Sequence, residues 1–104
     1  MAEIKITKNN FQREVLQSEV PVLLDFWAAW CGPCRMLSGV ISEVAAQAEG
    51  KYKVGKVNVD EEPELASAYR ISSIPTLLVL KSGKAVASAV GVQPRENIED
   101  LLGL

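Results

Sequence analysis

Hydrophobic positions change their spacing along the chain, and each change marks an element. Glu3-Ile4-Lys5-Ile6-Thr7 alternates polar and apolar, the pattern of a short strand. Asn9 or Asn10 can cap a helix running to about Leu16, with Phe11, Val15 and Leu16 toward the core. Pro21 then opens Val22-Leu23-Leu24-Asp25-Phe26-Trp27, an apolar run expected of a strand buried on both faces. Beyond it the spacing lengthens to threes and fours. Met36, Leu37, Val40, Ile41, Val44 and Ala48 trace one face of a long amphipathic helix, and Gly50 stands in the position of a C-terminal cap.

The second half alternates in the same way. Tyr52 to Val59 is a valine-rich strand, and Asp60 begins a loop. Pro63 starts a helix carrying Leu65, Ala66, Ala68 and Tyr69. Ile74 to Leu80 is a strand with Pro75 at its entry. Lys81-Ser82-Gly83-Lys84 is a hairpin turn in which glycine supplies a positive φ, and Ala85 to Val90 returns as an edge strand. Gly91 ends that strand, and Pro94 opens a last helix with Ile98, Leu101 and Leu102 on one face. The order is βαβαβαββα. Strands separated by helices run parallel with right-handed crossovers, while the hairpin is antiparallel, so an α/β chain with a mixed sheet is predicted. With no repeat, linker or low-complexity segment in 104 residues, residues 1–104 read as a single domain.

Composition narrows the class. Hydrophobic residues make up 48% of the chain and charged residues 23%, the balance of a globular protein. A net charge of −2 without a basic cluster argues against nucleic acid as a partner. Met1 to Ile6 lacks the form of a signal peptide, and the longest apolar run, broken by Pro21 and Asp25, is too short to cross a bilayer. No membrane association is expected. Two cysteines cannot build a disulfide framework, which points to a reducing, cytoplasmic setting and a catalytic use for the pair.

The chemistry falls where the buried strand gives way to the long helix. Cys31 lies just outside that helix and Cys34 in its first turn. The first N–H groups of a helix have no partner within it, and its dipole adds partial positive charge there. Both favour a thiolate, whose pKa in such places is roughly 3.5–7.5 rather than about 8.5. Cys31 is therefore the candidate nucleophile. Pro33 suits the first helical turn, and Gly32 leaves room for a partner's backbone beside Cys31. Residues three apart share a helix face, so the two sulfurs can reach disulfide geometry. A zinc site needs four ligands, and this chain has two cysteines and no histidine. Haem attachment needs histidine after the second cysteine, where Arg35 stands. Neither a metal nor a bound cofactor is expected. Asp25 interrupts the buried run. An unpaired carboxylate there is costly and its pKa should rise, unless it is surface-facing or salt-bridged.

Trp30-Cys31-Gly32-Pro33-Cys34, preceded by Asp25 in a strand, resembles the active-site sequence of the thioredoxin family, and the likeness runs from end to end. The resemblance implies the thioredoxin fold: a central five-stranded mixed β-sheet in the order 1-3-2-4-5, flanked by four helices. It implies a protein-disulfide reductase working through a reversible Cys31–Cys34 disulfide, with Cys31 as nucleophile and Cys34 as resolving thiol. Asp25 would be the general base taking the proton of Cys34 through water, with Lys56 on the neighbouring strand near it. For Lys56 the residues alone fit a solvated strand lysine equally well. Read by itself, Pro75 is a trans proline at a strand edge; the family's proline here is cis and packs against the disulfide. Ile74 would offer backbone groups to a bound partner. Trp30 and Gly91, with Gly32, Ile74 and Pro75, would form the docking rim, while Trp27 is expected in the core.

The resemblance also implies partners. Thioredoxin reductase would recycle the oxidised form with electrons from NADPH. Targets would be disulfide-containing proteins such as ribonucleotide reductase, peroxiredoxins and methionine sulfoxide reductases, met by a monomeric electron carrier in cell redox homeostasis. Two other readings compete. An oxidase or isomerase domain usually has histidine where Pro33 stands and needs an export signal. A non-catalytic thioredoxin-fold binding module would use the surface alone. Most family members carry a helix-kinking proline where this chain has Gly39. A Ser38-Gly39 pair permits a bend without imposing one, so the long helix is either kinked or straightened there. Leu80 replaces a common phenylalanine, a core change expected to be tolerated.

Overall fold

Strand β2, Val22–Trp27, occupies the middle of a five-stranded sheet in the computed structural model, which describes residues 3–104. Parallel to it lies β3 (Lys53–Asn58), and β1 (Ile4–Lys5) pairs parallel on the far side of β3. On the other flank β4 (Thr76–Lys81) is antiparallel to β2, and β5 (Lys84–Val90) closes the hairpin. The order β1-β3-β2-β4-β5 is the one the resemblance implies. Among the described residues, α1 (Gly32–Ala46) and α2 (Pro63–Ala68) connect strands, and α3 (Arg95–Leu102) follows β5. A fourth, short helix spans Gln12–Leu16. Among the described residues no helix is long and apolar enough to cross a membrane. Met1 and Ala2, part of the stretch read for a signal peptide, lie outside the described residues.

Alternation along β2 divides the core in two. Leu23 joins Val54, Leu77 and Val79 beneath α1 and α3, which contribute Leu37, Ile41, Val44, Ile98 and Leu102. Val22, Leu24 and Phe26 point the other way, against Ile6, Phe11, Val15, Leu78 and Leu80. Because both faces are covered, the strand carries almost no polar residues, as its sequence predicts. Asp25 falls on the α1 face, two residues beyond Leu23. Gly55 is needed where β3 is squeezed between its neighbours: a Cβ there would stand 2.6 Å from Ile6 Cγ1 and 3.0 Å from Leu24 Cδ2.

Several boundaries and contacts differ from expectation. β1 shrinks to two residues because Asn10 holds the chain just past it. Its Nδ2 donates to the Lys5 carbonyl and its Oδ1 accepts from Thr7 N, so Asn10 closes a turn and caps no helix. The following helix is of the wide π type, with Gln17 N donating to the Gln12 carbonyl, and no side chain caps it. Leu16 ends up exposed. Gly50 does not terminate α1, which ends at Ala46. There the bonds tighten to Gln47 N–Val44 O and Ala48 N–Ala45 O, and Tyr52 Oη donates to the Val44 carbonyl at 2.6 Å. A tyrosine just before β3 thus satisfies a carbonyl the helix leaves unpaired. Met36 lies off the buried stripe of Cys34, Leu37, Ile41 and Val44 and is 72% exposed. At Ser38-Gly39, α1 continues without interruption, and Gly39 is exposed.

Candidate active site

Beyond Trp27 the chain leaves the sheet in a turn closed by Cys31 N donating to the Ala28 carbonyl at 3.2 Å. Cys31 is extended, with φ −90° and ψ 110°, and forms the N-cap of α1; Cys34 N, in the first turn, donates to Cys31 Sγ at 3.2 Å. The helix start therefore aims an otherwise unpaired N–H at this sulfur, as the sequence position predicts. Cys31 and Cys34 are joined as a disulfide with their Cα atoms 5.2 Å apart. Each is only 4% exposed, packed with Ala28 against Trp27, Val59 and Ile74. Pro33 is exposed within the first turn, and a Cβ on Gly32 would meet nothing nearer than Arg35 Nη2 at 3.9 Å. The space beside Gly32 is open, as its lack of a side chain suggests.

Two further segments reach the disulfide. The Ile74–Pro75 bond is cis, and the Ile74 carbonyl oxygen lies 3.8 Å from Cys31 Sγ. Gly91 N donates to the Pro75 carbonyl at 2.8 Å, so the loop after β5 is tied to the entry of β4. Val90 and Val92 on either side of Gly91 are exposed, as is 68% of Trp30. The Trp30 indole is held in place: its Nε1 donates to Asp60 Oδ2 at 2.8 Å, and Asp60 N is itself bonded to Asn58 Oδ1. Sequence reasoning missed Asp60. The two residues are 30 apart, and only the turn-forming Asn58-x-Asp60 spacing hints at a fixed loop there.

Asp25 is buried on the α1 face, 1% exposed, and its Oδ1 has no hydrogen-bond partner among the described residues. It is neither surface-facing nor salt-bridged. Burial pushes its pKa from the usual 3.8 up to about 6, Lys56 pulls against that rise, and Glu3 adds to it. Lys56 pairs with Asp25 across β2 and β3, yet its ammonium lies 4.7 Å from the centre of the Trp27 ring. Trp27 is half-buried and packs on the small core cluster of Ala28 and the disulfide, the core contact expected of it, though outside the two main cores. A cavity of about 430 Å³ opens beside it, walled by Glu3, Lys5, Trp27, Lys56 and Asn58 among others. Among the described residues no cluster of three or more histidine, cysteine or acidic side chains is placed to hold a metal ion.

The structure thus brings Cys31, Cys34, Gly32, Pro33, Ile74, Pro75 and Gly91 together at one end of the sheet, with Trp30 beside them. Asp25 and Lys56 face one another on the α1 side. Such a site can make and break one disulfide: a sulfur at a helix start, a neighbour within bonding reach, and an apolar surround.

Comparison with known proteins agrees. A family model described as thioredoxin matches residues 2–103. The chain is 52% identical over 101 residues to thioredoxin 1 of Nostoc sp. (strain PCC 7120), covering 97% of this chain and 94% of that one. It is 53% identical over 92 residues to thioredoxin 2 of Chlorobaculum tepidum, covering 88% and 84%, and 45% identical over 95 residues to a Rickettsia felis thioredoxin, covering 91% and 90%. The chain belongs to the thioredoxin family of protein-disulfide oxidoreductases.

Proposed function

We propose that residues 1–104 act as one monomeric domain that reduces disulfides in target proteins, with Cys31 as nucleophile and Cys34 as resolving thiol. The observation that carries this is Cys31 Sγ at the helix start, accepting the Cys34 N–H at 3.2 Å. In the reduced protein that contact stabilises a Cys31 thiolate. The thiolate attacks one sulfur of a target disulfide; the target S–S bond breaks, and the other target sulfur leaves as a thiolate. Cys34 then loses its proton to Asp25, through water, and attacks Cys31 Sγ. The mixed disulfide breaks, the Cys31–Cys34 bond forms, and the target departs with both sulfurs reduced.

Asp25 suits the role of base because it is buried, carries an unpartnered oxygen and has a pKa near working pH. Lys56 offsets part of the charge that Asp25 carries once ionised. Trp30, Gly32, Ile74, Pro75 and Gly91 dock an extended segment of the target beside Cys31, with the exposed Trp30 ring and Ile74 backbone as the main contacts. Thioredoxin reductase returns the two electrons, drawn from NADPH. The setting is the cytoplasm, where the pair serves cell redox homeostasis, and ribonucleotide reductase, peroxiredoxins and methionine sulfoxide reductases are the expected targets.

Turbidimetric insulin reduction, followed in wild type and in Cys34→Ser, tests the scheme. Wild type should be active, and Cys34→Ser should lose turnover while accumulating mixed disulfides through Cys31. If instead Cys31→Ser traps targets and Cys34→Ser does not, the two roles are exchanged. An inactive wild type would favour the binding-module reading.

A further inference from the structure

Pleat and register collect a set of charges on the α1 face of the sheet. Asp25 pairs with Lys56, and Lys56 pairs in turn with Lys5 on the far side of β3. Glu3 precedes Lys5 by two residues and so falls on the same face. Glu3, Lys5 and Lys56 line the same cavity, which Trp27 and Glu61 help to enclose. The Glu3 carboxylate is anchored: Ser42 Oγ, on α1, donates to its Oε1 at 3.0 Å. Lys5 is occupied by Glu61 at 3.5 Å. Lys56 enters no ion pair among the described residues and rests on the Trp27 ring.

We propose that Glu3 is a positioning residue for Asp25: anchored on Ser42, it holds a second carboxylate on the α1 face of the sheet, beside the cavity that Lys56 lines, where it opposes charge on Asp25. That opposition favours the protonated form of Asp25, the form left after it takes the Cys34 proton. Burial is the largest cause of the raised Asp25 pKa, and Glu3 acts in the same direction while Lys56 opposes it. The surroundings hold few other charges. β4 sets Leu77 opposite Asp25, and the buried positions of α1 are Cys34, Leu37, Ile41, Val44 and Ala45, none of which titrates while the disulfide stands. α3 buries only Ile98 and Leu102. Lys5, tied to Glu61, shares this face, and among the described residues the charges that bear on Asp25 are Lys56 and Glu3. The effect of Glu3 on turnover rests on Asp25 being the base proposed above; its effect on the Asp25 proton does not.

Lys5, not Glu3, is in register with Asp25 across β3; two strand spacings of roughly 4.8 Å and a two-residue offset of roughly 3.3 Å each set Glu3 and Asp25 about 12 Å apart. One charge removed at that distance, across a partly wet cavity, should lower the Asp25 midpoint by about half a pH unit. The measurement is the titration of the Asp25 side-chain carboxyl by ¹³C NMR in the oxidised protein. Glu3→Gln should lower the midpoint by that amount, Ser42→Ala should lower it by less, and Glu3→Asp, which keeps the charge, should stay near wild type. An unchanged or higher midpoint in Glu3→Gln overturns the proposal. So does a Glu3→Asp midpoint as low as that of Glu3→Gln, since that would mean the carboxylate charge is not what matters. The pH profile of mixed-disulfide resolution separates the two claims: if the Asp25 midpoint moves and the profile does not, the base role fails and the placement of Glu3 stands.

Discussion

Replacing Asp25 with asparagine should stabilise the oxidised protein by an amount that grows with pH. In the unfolded chain this carboxyl releases its proton near 3.8, and in the folded chain near 6, because burial disfavours the anion. Between those values the folded state binds more protons than the unfolded one, so stability falls as pH rises. The loss is absent well below 3.8 and complete above about 7. The interval from 3.8 to about 6 corresponds to about 3 kcal/mol, at roughly 1.4 kcal/mol per pH unit. Asparagine never ionises and escapes that loss.

The amide brings its own cost, since a buried polar group without partners is unfavourable by about 1–3 kcal/mol. That cost does not depend on pH, so the quantity to measure is a difference of differences. Urea unfolding of wild type and Asp25→Asn at pH 4 and pH 8 supplies it, and every other titrating group cancels between the two proteins. The advantage of the variant should be about 2.5 kcal/mol larger at pH 8 than at pH 4, since at pH 4, just above 3.8, part of the loss is already present; each kcal/mol is equivalent to roughly 4–8 °C of melting temperature. In the same variant, mixed-disulfide resolution near neutral pH should slow. An advantage that is equal at the two pH values would refute the reasoning, because it would mean that Asp25 is hydrated or paired in solution.

Other substitutions probe the scaffold. Gly39→Ala should raise stability by about 0.5–1 kcal/mol, since the position is exposed within α1 and a Cβ there meets nothing within 4 Å. Gly39→Pro should destabilise by about 3 kcal/mol in denaturant titration, and a rise in midpoint would show that the helix is already bent at Ser38-Gly39. Gly55→Ala should cost about 1–3 kcal/mol by the same titration, because its Cβ would overlap the buried Ile6 and Leu24 side chains; an unchanged midpoint would mean that edge strand β1 yields freely.

Much of this was legible in the sequence wherever periodicity reports burial. The apolar run of β2, the spacing of Leu37, Ile41 and Val44, and the glycine of the hairpin each reflect a local demand that the chain meets with neighbouring residues. What was not legible depends on partners far apart in sequence. Asn9 and Asn10 look alike as caps, and only the position of the Lys5 carbonyl makes Asn10 a turn former. Gly50 has a cap's composition, but Tyr52 supplies the hydroxyl that lets α1 end four residues sooner. Met36 matches the helical period and lies off the stripe by one residue. The docking rim was readable only by resemblance, since nothing within Trp30 announces Asp60. The cavity beside Lys56 was not readable at all, because its wall is assembled from β1, β2, β3 and the turn beyond.

The two-residue alternation of a strand links the stability of this chain to its chemistry. Within β2, Leu24 and Phe26 fill one core and Leu23 the other, so a one-residue slip of register would turn every side chain to the opposite face. The register that buries those residues well also commits Asp25 to the α1 face, in line with Lys56 and away from bulk water. The strand cannot expose its carboxylate without giving up its packing. The cost of burying Asp25 is therefore fixed by the same alternation that makes the sheet stable, and it can be relieved only by a proton. Relief by proton uptake is the property required of a base that must hold a proton briefly near neutral pH. It predicts that Asp25→Glu, with a longer side chain in the same packed place, should lose stability at pH 4 as well as pH 8, because overpacking by one methylene costs about 1–3 kcal/mol whatever the charge. A variant as stable as wild type at pH 4 would show that the site has room to spare, and the link between register and proton affinity drawn here would fail.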